Sequence, residues 1–229
     1  MDQTKIWDYF QNNEEGLRAF QMALPRYRFL AARISSASAV LNIGVGAGGL
    51  ESILVGRDIR VSCLDPSESA ITNLRKSLSI PADRARVGFS QNVPFDSSSF
   101  DVVVMSEVLE HLDDDILITT LSEVRRVLRN GGIFMGTVPA DEDLLANQVV
   151  CPDCGKLFHR WGHVQSFGAL RLHTMLASTF GQADVIRTIF GMGQYLNWKG
   201  KISWLVKTVL VAMGIKGTGE AYFFQARKQ

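Results

Sequence analysis

Cysteine is scarce, with three in 229 residues. Cys63 falls inside a predicted strand, so no disulfide framework organises this chain. Charge imbalance is missing too, since 24 Lys and Arg face 23 Asp and Glu. With no basic block or Lys/Arg-rich arm, electrostatics give no reason to expect nucleic acid. The opening Met1-Asp2-Gln3-Thr4-Lys5-Ile6-Trp7-Asp8 has neither the basic flank nor the apolar core of a signal peptide. No stretch approaches a membrane-spanning length free of charge. These absences point to a cytoplasmic protein with a small or uncharged partner. Apolar residues make up 46% of the chain, enough for one α/β domain with a sizeable core and no second independent domain.

What is present is a glycine-rich break in an apolar run, Val40-Leu41-Asn42-Ile43-Gly44-Val45-Gly46-Ala47-Gly48-Gly49-Leu50. It reads as a strand, a tight turn and a helix N-terminus. Glycines let such a turn bring backbone N–H groups against a ligand, because no Cβ stands in the way and positive φ is allowed. The ligand is therefore expected to be a nucleotide or nucleoside. Gly44, Gly46 and Gly49 fit the dinucleotide pattern G-x-G-x-x-G, with Asp65 at the distance of an NAD ribose acid. Gly44, Gly46 and Gly48 equally fit the x-G-x-G-x-G of an S-adenosylmethionine (SAM) site, so the turn alone leaves both open.

The order of elements narrows this. Apolar positions at helical spacing from Asp8 to Ile34, interrupted by Pro25, predict two helices. Strands are predicted at 39–43, 60–64, 84–89, 100–105, 133–138, 184–189 and 221–226. The intervening helices are 49–55, a helix opened by Pro66 and Ser67 and ending near Leu78, and 115–128, closed by Asn130-Gly131-Gly132; another spans 166–179. Alternating strands and helices imply a doubly wound parallel sheet with right-handed crossovers. Ligands of such sheets bind beyond the carboxyl ends of the strands, where Gly44, Asp65 and Ser106 would lie.

Four pieces in order then carry a resemblance: the glycine turn; Cys63-Leu64-Asp65-Pro66-Ser67; Val93-Pro94-Phe95 followed by Phe100-Asp101-Val102-Val103; and Ser106-Glu107-Val108-Leu109-Glu110-His111-Leu112 with Val127-Leu128-Arg129-Asn130-Gly131-Gly132. Over about residues 38–190 the chain resembles the class I SAM-dependent methyltransferases of small-molecule, lipid and sugar metabolism. The expected fold is α/β, a doubly wound, mostly parallel seven-stranded Rossmann-like sheet with an antiparallel C-terminal strand. Residues 1–37 would be a helical cover and 38–229 the SAM-binding domain, with insertions at 140–163 and 192–218. The resemblance implies that Gly44, Gly46 and Gly48 line the methionine tail and that Asp65 accepts both ribose hydroxyls. It places Leu64, Val93 and Asn92 around the adenine and the backbone of Ser106 at the methionine amine. Asn42 stands where the family has an acid, and Phe89 where an acid meets the adenine amino group. Losing one charge-assisted hydrogen bond costs on the order of 1.5–3 kcal/mol, which weakens such a site without abolishing it.

Methyl transfer from a sulfonium is an in-line displacement with an activated leaving group, so alignment supplies much of the catalysis. For a hydroxyl acceptor, Glu107 or His111 is the candidate proton acceptor, four apart and so on one helical face. The alternative is that the pair caps and orients the turn after the fourth strand. Met105-Ser106-Glu107 differs from the Asn/Asp-Pro-Pro-aromatic arrangement of many amino methyltransferases, so oxygen is the preferred target and the acceptor a small molecule, sugar or lipid-linked intermediate.

Cys151, Cys154, His159 and His163 stand close together, at spacings that suit tetrahedral zinc in a structural clip. Against this, the thiols also read as a reduced pair, and His163-Val164-Gln165-Ser166-Phe167 resembles a His-x-x-x-aromatic element that faces the acceptor in this family, which makes His163 a catalytic-side candidate as well. The stretch around 192–214, with Tyr195, Trp198, Ile202, Trp204, Leu205, Val209 and Met213 beside Lys199, Lys201 and Lys207, reads as core, as a lid over an apolar acceptor, or as a helix in peripheral contact with a membrane. A non-catalytic binding protein on the same fold and a nucleotide-dependent oxidoreductase are the competing classes.

Overall fold

The computed structural model describes residues 23–191, 197–212 and 219–229. The predicted helix between Asp8 and Pro25, together with Met192, Tyr195 and Met213, falls wholly or largely outside these. Helix α1 (Leu24–Ala31) carries Pro25 in its first turn. There the missing N–H costs nothing, so this proline opens a helix where the sequence suggested a break between two.

Strand β1 (Ala39–Ile43) leads through the glycine turn into α2 (Gly49–Val55), β2 (Arg60–Asp65), α3 (Glu68–Leu78) and the short β3 (Ala85–Val87). Then follow β4 (Phe100–Ser106), a 3₁₀ turn (Leu109–His111), α4 (Asp114–Val127) and β5 (Leu128–Pro139). The second half holds a hairpin, β6 (Gln148–Val150) and β7 (Leu157–His159), then α5 (Ala169–Phe180), β8 (Gly181–Ile189), α6 (Trp198–Ala212) and β9 (Glu220–Lys228).

One seven-stranded sheet runs in the order β3-β2-β1-β4-β5-β9-β8. The pairs from β3 to β5 are parallel, and β9 is antiparallel to both its neighbours. This is the predicted sheet. Because β-strand side chains alternate between faces, Leu41, Ile43, Val103 and Met105 join one core with Leu121, Val124, Leu172 and Phe180 of α4 and α5. Val40, Val61, Val102 and Val104 join the other with Leu30, Leu54 and Leu74 of α1 to α3 and with Ile34 just beyond α1. Burial on both faces explains why β4 reads as an unbroken apolar run.

Three details depart from the sequence reading. Gly131 and Gly132 do not cap α4, which ends at Val127; they sit in β5 where its register against β4 shifts between Phe100 and Val102. The bulge needs Gly131 at φ +76°, and a Cβ on Gly132 would stand 2.8 Å from the Arg129 carbonyl oxygen. Residues 140–163 contain the β6–β7 hairpin, which forms a separate two-stranded sheet. Finally, α6 exposes Trp198, Ile202, Leu205, Val206 and Val209. Those five are not core. No helix among the described residues is long and apolar enough to cross a membrane.

Candidate active site

The glycine turn is a backbone cradle. Gly44, Gly46 and Gly48 all have positive φ, at +86°, +52° and +76°. The Gly44 N–H donates to the Leu64 carbonyl oxygen at 2.9 Å, and a Cβ on Gly44 would stand 2.5 Å from Val108 Cγ2. At Gly49 a Cβ would stand 2.7 Å from the Tyr27 ring, so α1 closes down on the start of α2. Asp65 is buried at the tip of β2, where Oδ2 accepts the Val45 N–H and Oδ1 accepts the Ser67 N–H, both at 2.9 Å. These two bonds fix the carboxylate at the strand tip beside the glycine turn.

The acid missing at Asn42 comes from another element. Asn42 Nδ2 donates to Glu51 Oε1 at 2.6 Å, and Glu51, in the first turn of α2, is fully buried. Burial pushes its carboxyl up to about 7, against the opposing pull of the Asn42 hydrogen bond. Among the described residues Asn42 Oδ1 has no hydrogen-bond partner, and the Glu51 carboxyl is met besides Asn42 by the Cys63 thiol. Sequence reasoning missed Glu51. Its only signal was an acid on a short, otherwise apolar helix.

Leu64 and Val93 do not line an open slot. Both are buried in the core shared with α4 and α5, because alternation along β2 turns Leu64 into that core. At the same strand tips, Pro66, Phe89 and Asn92 are the exposed residues. Phe89 is 60% exposed, as a free face for a planar base would be.

Beyond β4, Ser106 Oγ pairs with Thr137 Oγ1 at 2.8 Å. Glu107 has φ +58°, an uncommon conformation for a residue other than glycine and one that clusters at functional sites. Its N–H is held by the Thr137 carbonyl oxygen at 2.8 Å, and its carboxylate lies 3.6 Å from the Arg26 guanidinium. The left-handed turn takes Glu107 off the short 3₁₀ turn that follows, so Glu107 and His111 do not share a helical face. His111 meets His163 instead, with ring centroids 4.7 Å apart.

Around His163 the chain gathers two carboxylates and three imidazoles. His163 stacks on His159 at 4.5 Å, and its Nδ1 lies 2.5 Å from Glu142 Oε2. The backbone carbonyl of Glu110 accepts the N–H groups of Val164 and Gln165, which ties this loop to the 3₁₀ turn. Burial and the nearby Glu107 push the Glu110 carboxyl well above its usual range. Burial, together with the facing His163, holds His111 down to about 3, so His111 remains neutral and is no proton acceptor near neutrality.

Residues 41–136 match the family model described as a methyltransferase domain. An uncharacterized methyltransferase of Mycobacterium tuberculosis is 34% identical over 98 residues, 43% of this chain and 38% of the relative. A SAM-dependent methyltransferase of Thermotoga maritima superposes with a TM-score of 0.64 at 21% identity, covering 98% of this chain and 99% of that one. Over residues 41–136 the chain is thus similar to methyltransferase domains, and its fold is that of SAM-dependent methyltransferases. It also shares its fold with the 1,6-didemethyltoxoflavin-N1-methyltransferase of Burkholderia thailandensis, solved with 1,6-didemethyltoxoflavin and S-adenosylhomocysteine. That match has a TM-score of 0.62 at 17% identity and covers 97% of this chain and 86% of the other. The chain spans about two fifths of the length of the curated relatives it matches.

SAM is the cofactor of the methyltransferases that this chain resembles, and the turn fits it in its three positive-φ glycines, the backbone-held Asp65 and the buried Asn42–Glu51 pair. The structure departs from the sequence reading at the expected zinc clip. Cys151 and Cys154 sit at the tip of the β6–β7 hairpin, where the N–H groups of Cys154 and Asp153 point at the Cys151 thiol and lower its pKa. His159 lies at the hairpin's other end, opposite Gln148, and faces Glu142. Among the described residues, the donor clusters of three or more are Glu110, His111 and His163, and Glu142, His159 and His163; neither contains a thiol. One tetrahedral set of Cys151, Cys154, His159 and His163 is thus ruled out in this arrangement, because the hairpin separates what sequence spacing brings close.

Proposed function

We propose that this protein moves the methyl group of SAM onto an oxygen of a small acceptor that carries an apolar portion, such as a lipid-linked or sugar-derived intermediate. The single observation that carries this is the turn itself, in which three positive-φ glycines follow Asn42, with the Asn42–Glu51 hydrogen bond on one side and Asp65, which accepts the Val45 N–H, on the other. Asp65 would take the ribose hydroxyls, and Pro66, Phe89 and Asn92 would surround the adenine in place of Leu64 and Val93. Arg26, whose Nε has no partner within the protein, is placed to meet the methionine carboxylate. Glu107 is then the group to accept a hydroxyl proton while the chain holds acceptor oxygen, methyl carbon and sulfur in line. The exposed apolar side of α6, with Lys199, Lys201 and Lys207 nearby in sequence, offers a surface for the acceptor's apolar part or for peripheral contact with a membrane. A binding protein without turnover draws its support from Asn42 and Phe89; Glu51 beside Asn42 weakens the first of these and leaves the second standing.

The test is calorimetric titration of the purified chain with SAM and S-adenosylhomocysteine, with NAD as control, followed by transfer assays on hydroxylated acceptors. Binding of the SAM pair and not NAD, followed by transfer that Glu107→Gln reduces, is the expected result. A folded sample that binds neither SAM nor its product would overturn the proposal.

A further inference from the structure

Glu110 has no evident role in holding SAM, and its setting is unusual. The residue is 1% exposed, and neither carboxylate oxygen has a hydrogen-bond partner from another of the described residues. A carboxyl group left in that state is costly unless something that is not part of the chain meets it. The donor atoms of Glu110, His111 and His163 all lie within 4.8 Å of one another. Around them the chain supplies supports of the kind that orient ligands. His111 Nδ1 faces the Gly162 carbonyl oxygen at 3.2 Å, which fixes its ring and assigns Nε2 as the lone-pair nitrogen when Nδ1 donates. Glu142 holds His163 Nδ1 in the same way, which leaves Nε2 with the lone pair that can bind a metal. His159 stacks behind His163, its buried Nε2 3.4 Å from Glu142 Oε1 without hydrogen-bond geometry. The Gln165 side chain donates to the Leu112 carbonyl oxygen and locks the loop onto the 3₁₀ turn.

We propose that Glu110, His111 and His163 bind a divalent transition-metal ion. Two imidazoles and one carboxylate suit Mn²⁺, Fe²⁺ or Zn²⁺ better than Mg²⁺ or Ca²⁺, which favour all-oxygen surroundings. Three protein ligands leave coordination positions open. On the methyl-transfer reading, from which this role follows, those positions take the acceptor's oxygen and lower the pKa of its hydroxyl, so that less is asked of Glu107. The metal site itself stands or falls independently of that reading.

The experiment is titration of the chelator-stripped full chain with Mn²⁺, followed by the electron paramagnetic resonance signal of the free ion. One Mn²⁺ per chain is expected, displaced by Zn²⁺ but not by a large excess of Mg²⁺. Glu110→Gln and His163→Gln should each weaken Mn²⁺ binding by about tenfold or more, while the Cys151→Ser/Cys154→Ser double variant leaves it unchanged. Asp65→Ala should also bind Mn²⁺ normally while losing SAM, which separates failure of the metal site from failure of the methyl-transfer reading. Circular dichroism identifies folded samples, and His111→Gln replaces Glu110→Gln if the latter does not fold. A folded wild-type chain that takes up no stoichiometric Mn²⁺ or Zn²⁺ would overturn the proposal, as would Mn²⁺ binding that survives both ligand substitutions or that is lost with the cysteines.

Discussion

Asp65 at the glycine turn and Glu110 in the histidine cluster are both buried carboxylates at the carboxyl ends of strands, yet they are treated in opposite ways. Backbone N–H groups from Val45 and Ser67 meet the two oxygens of Asp65. Among the described residues no other residue's N–H forms a hydrogen bond with those of Glu110. A carboxylate already anchored by its own backbone is preorganised to receive neutral hydroxyls, whereas a bare one calls for a cation or a proton. Glu51 stands between them, its carboxyl met by the Asn42 amide and the Cys63 thiol. The cofactor cradle is thus complete within the chain, and the histidine cluster is completed from outside it.

The largest effect expected is at the anchored carboxylate. Asp65→Ala removes two charge-assisted hydrogen bonds to the ribose, each worth on the order of 1.5–3 kcal/mol, so S-adenosylhomocysteine affinity should fall by about a hundredfold or more. Calorimetry reads this directly, and a loss below tenfold would remove Asp65 from the ribose site. Next comes Glu51. Its folded pKa of about 7 lies above the ordinary 4.5, so the folded chain holds this proton to higher pH than the unfolded chain. The stability it contributes is fully present below about pH 4.5 and is lost as pH rises through about 7, a change on the order of 3 kcal/mol. Urea unfolding at steps across that range should show a decline that Glu51→Gln flattens, and an unchanged slope in the variant would place the titration elsewhere.

Glu110 should respond with the sign opposite to Asp65. In the metal-free chain, Glu110→Met replaces a desolvated acid by an apolar side chain and should stabilise by about 1–4 kcal/mol, seen as a higher melting temperature that added Mn²⁺ no longer raises. A lower melting temperature would mean that this carboxyl is satisfied as it stands, and the contrast with Asp65 would collapse. The smallest effect belongs to the hairpin tip. Cys151→Ser with Cys154→Ser should leave the melting temperature and S-adenosylhomocysteine affinity unchanged in scanning calorimetry, whereas a marked drop would restore a stabilising role for the thiols.

Much of the cofactor half was legible because its signals are local. A glycine that must adopt positive φ, an acid at the end of an apolar strand and β-branched residues buried on two faces each leave a mark within a few residues. The parts that escaped depend on distant partners. Glu51 looks like an ordinary helix acid until Asn42, on a neighbouring strand, is seen to donate to it. Gly131 reads as a helix terminator because the same conformational freedom serves a bulge, and only the register against β4 tells them apart. Glu107 gives no warning of its left-handed backbone, since glutamate has no preference for it. The cysteine and histidine spacing suggested one metal site, but the extended hairpin places its ends at different distances than a compact knuckle would.

The antiparallel placement of β9 has a further consequence. Its first residue, Glu220, pairs with Ile189 at the end of β8, while its next, Ala221, pairs with Pro139 at the end of β5. The chain between β8 and β9 therefore leaves and rejoins the sheet at adjacent positions on the ligand-binding edge, like a detachable visor with both hinges on one frame. Residues 190–219 can lengthen, shorten or change chemistry without shifting a single strand pairing, since a longer loop between fixed ends adds little entropic cost. Selection for a new acceptor has a module here that it can rewrite while the cofactor cradle stays as it is.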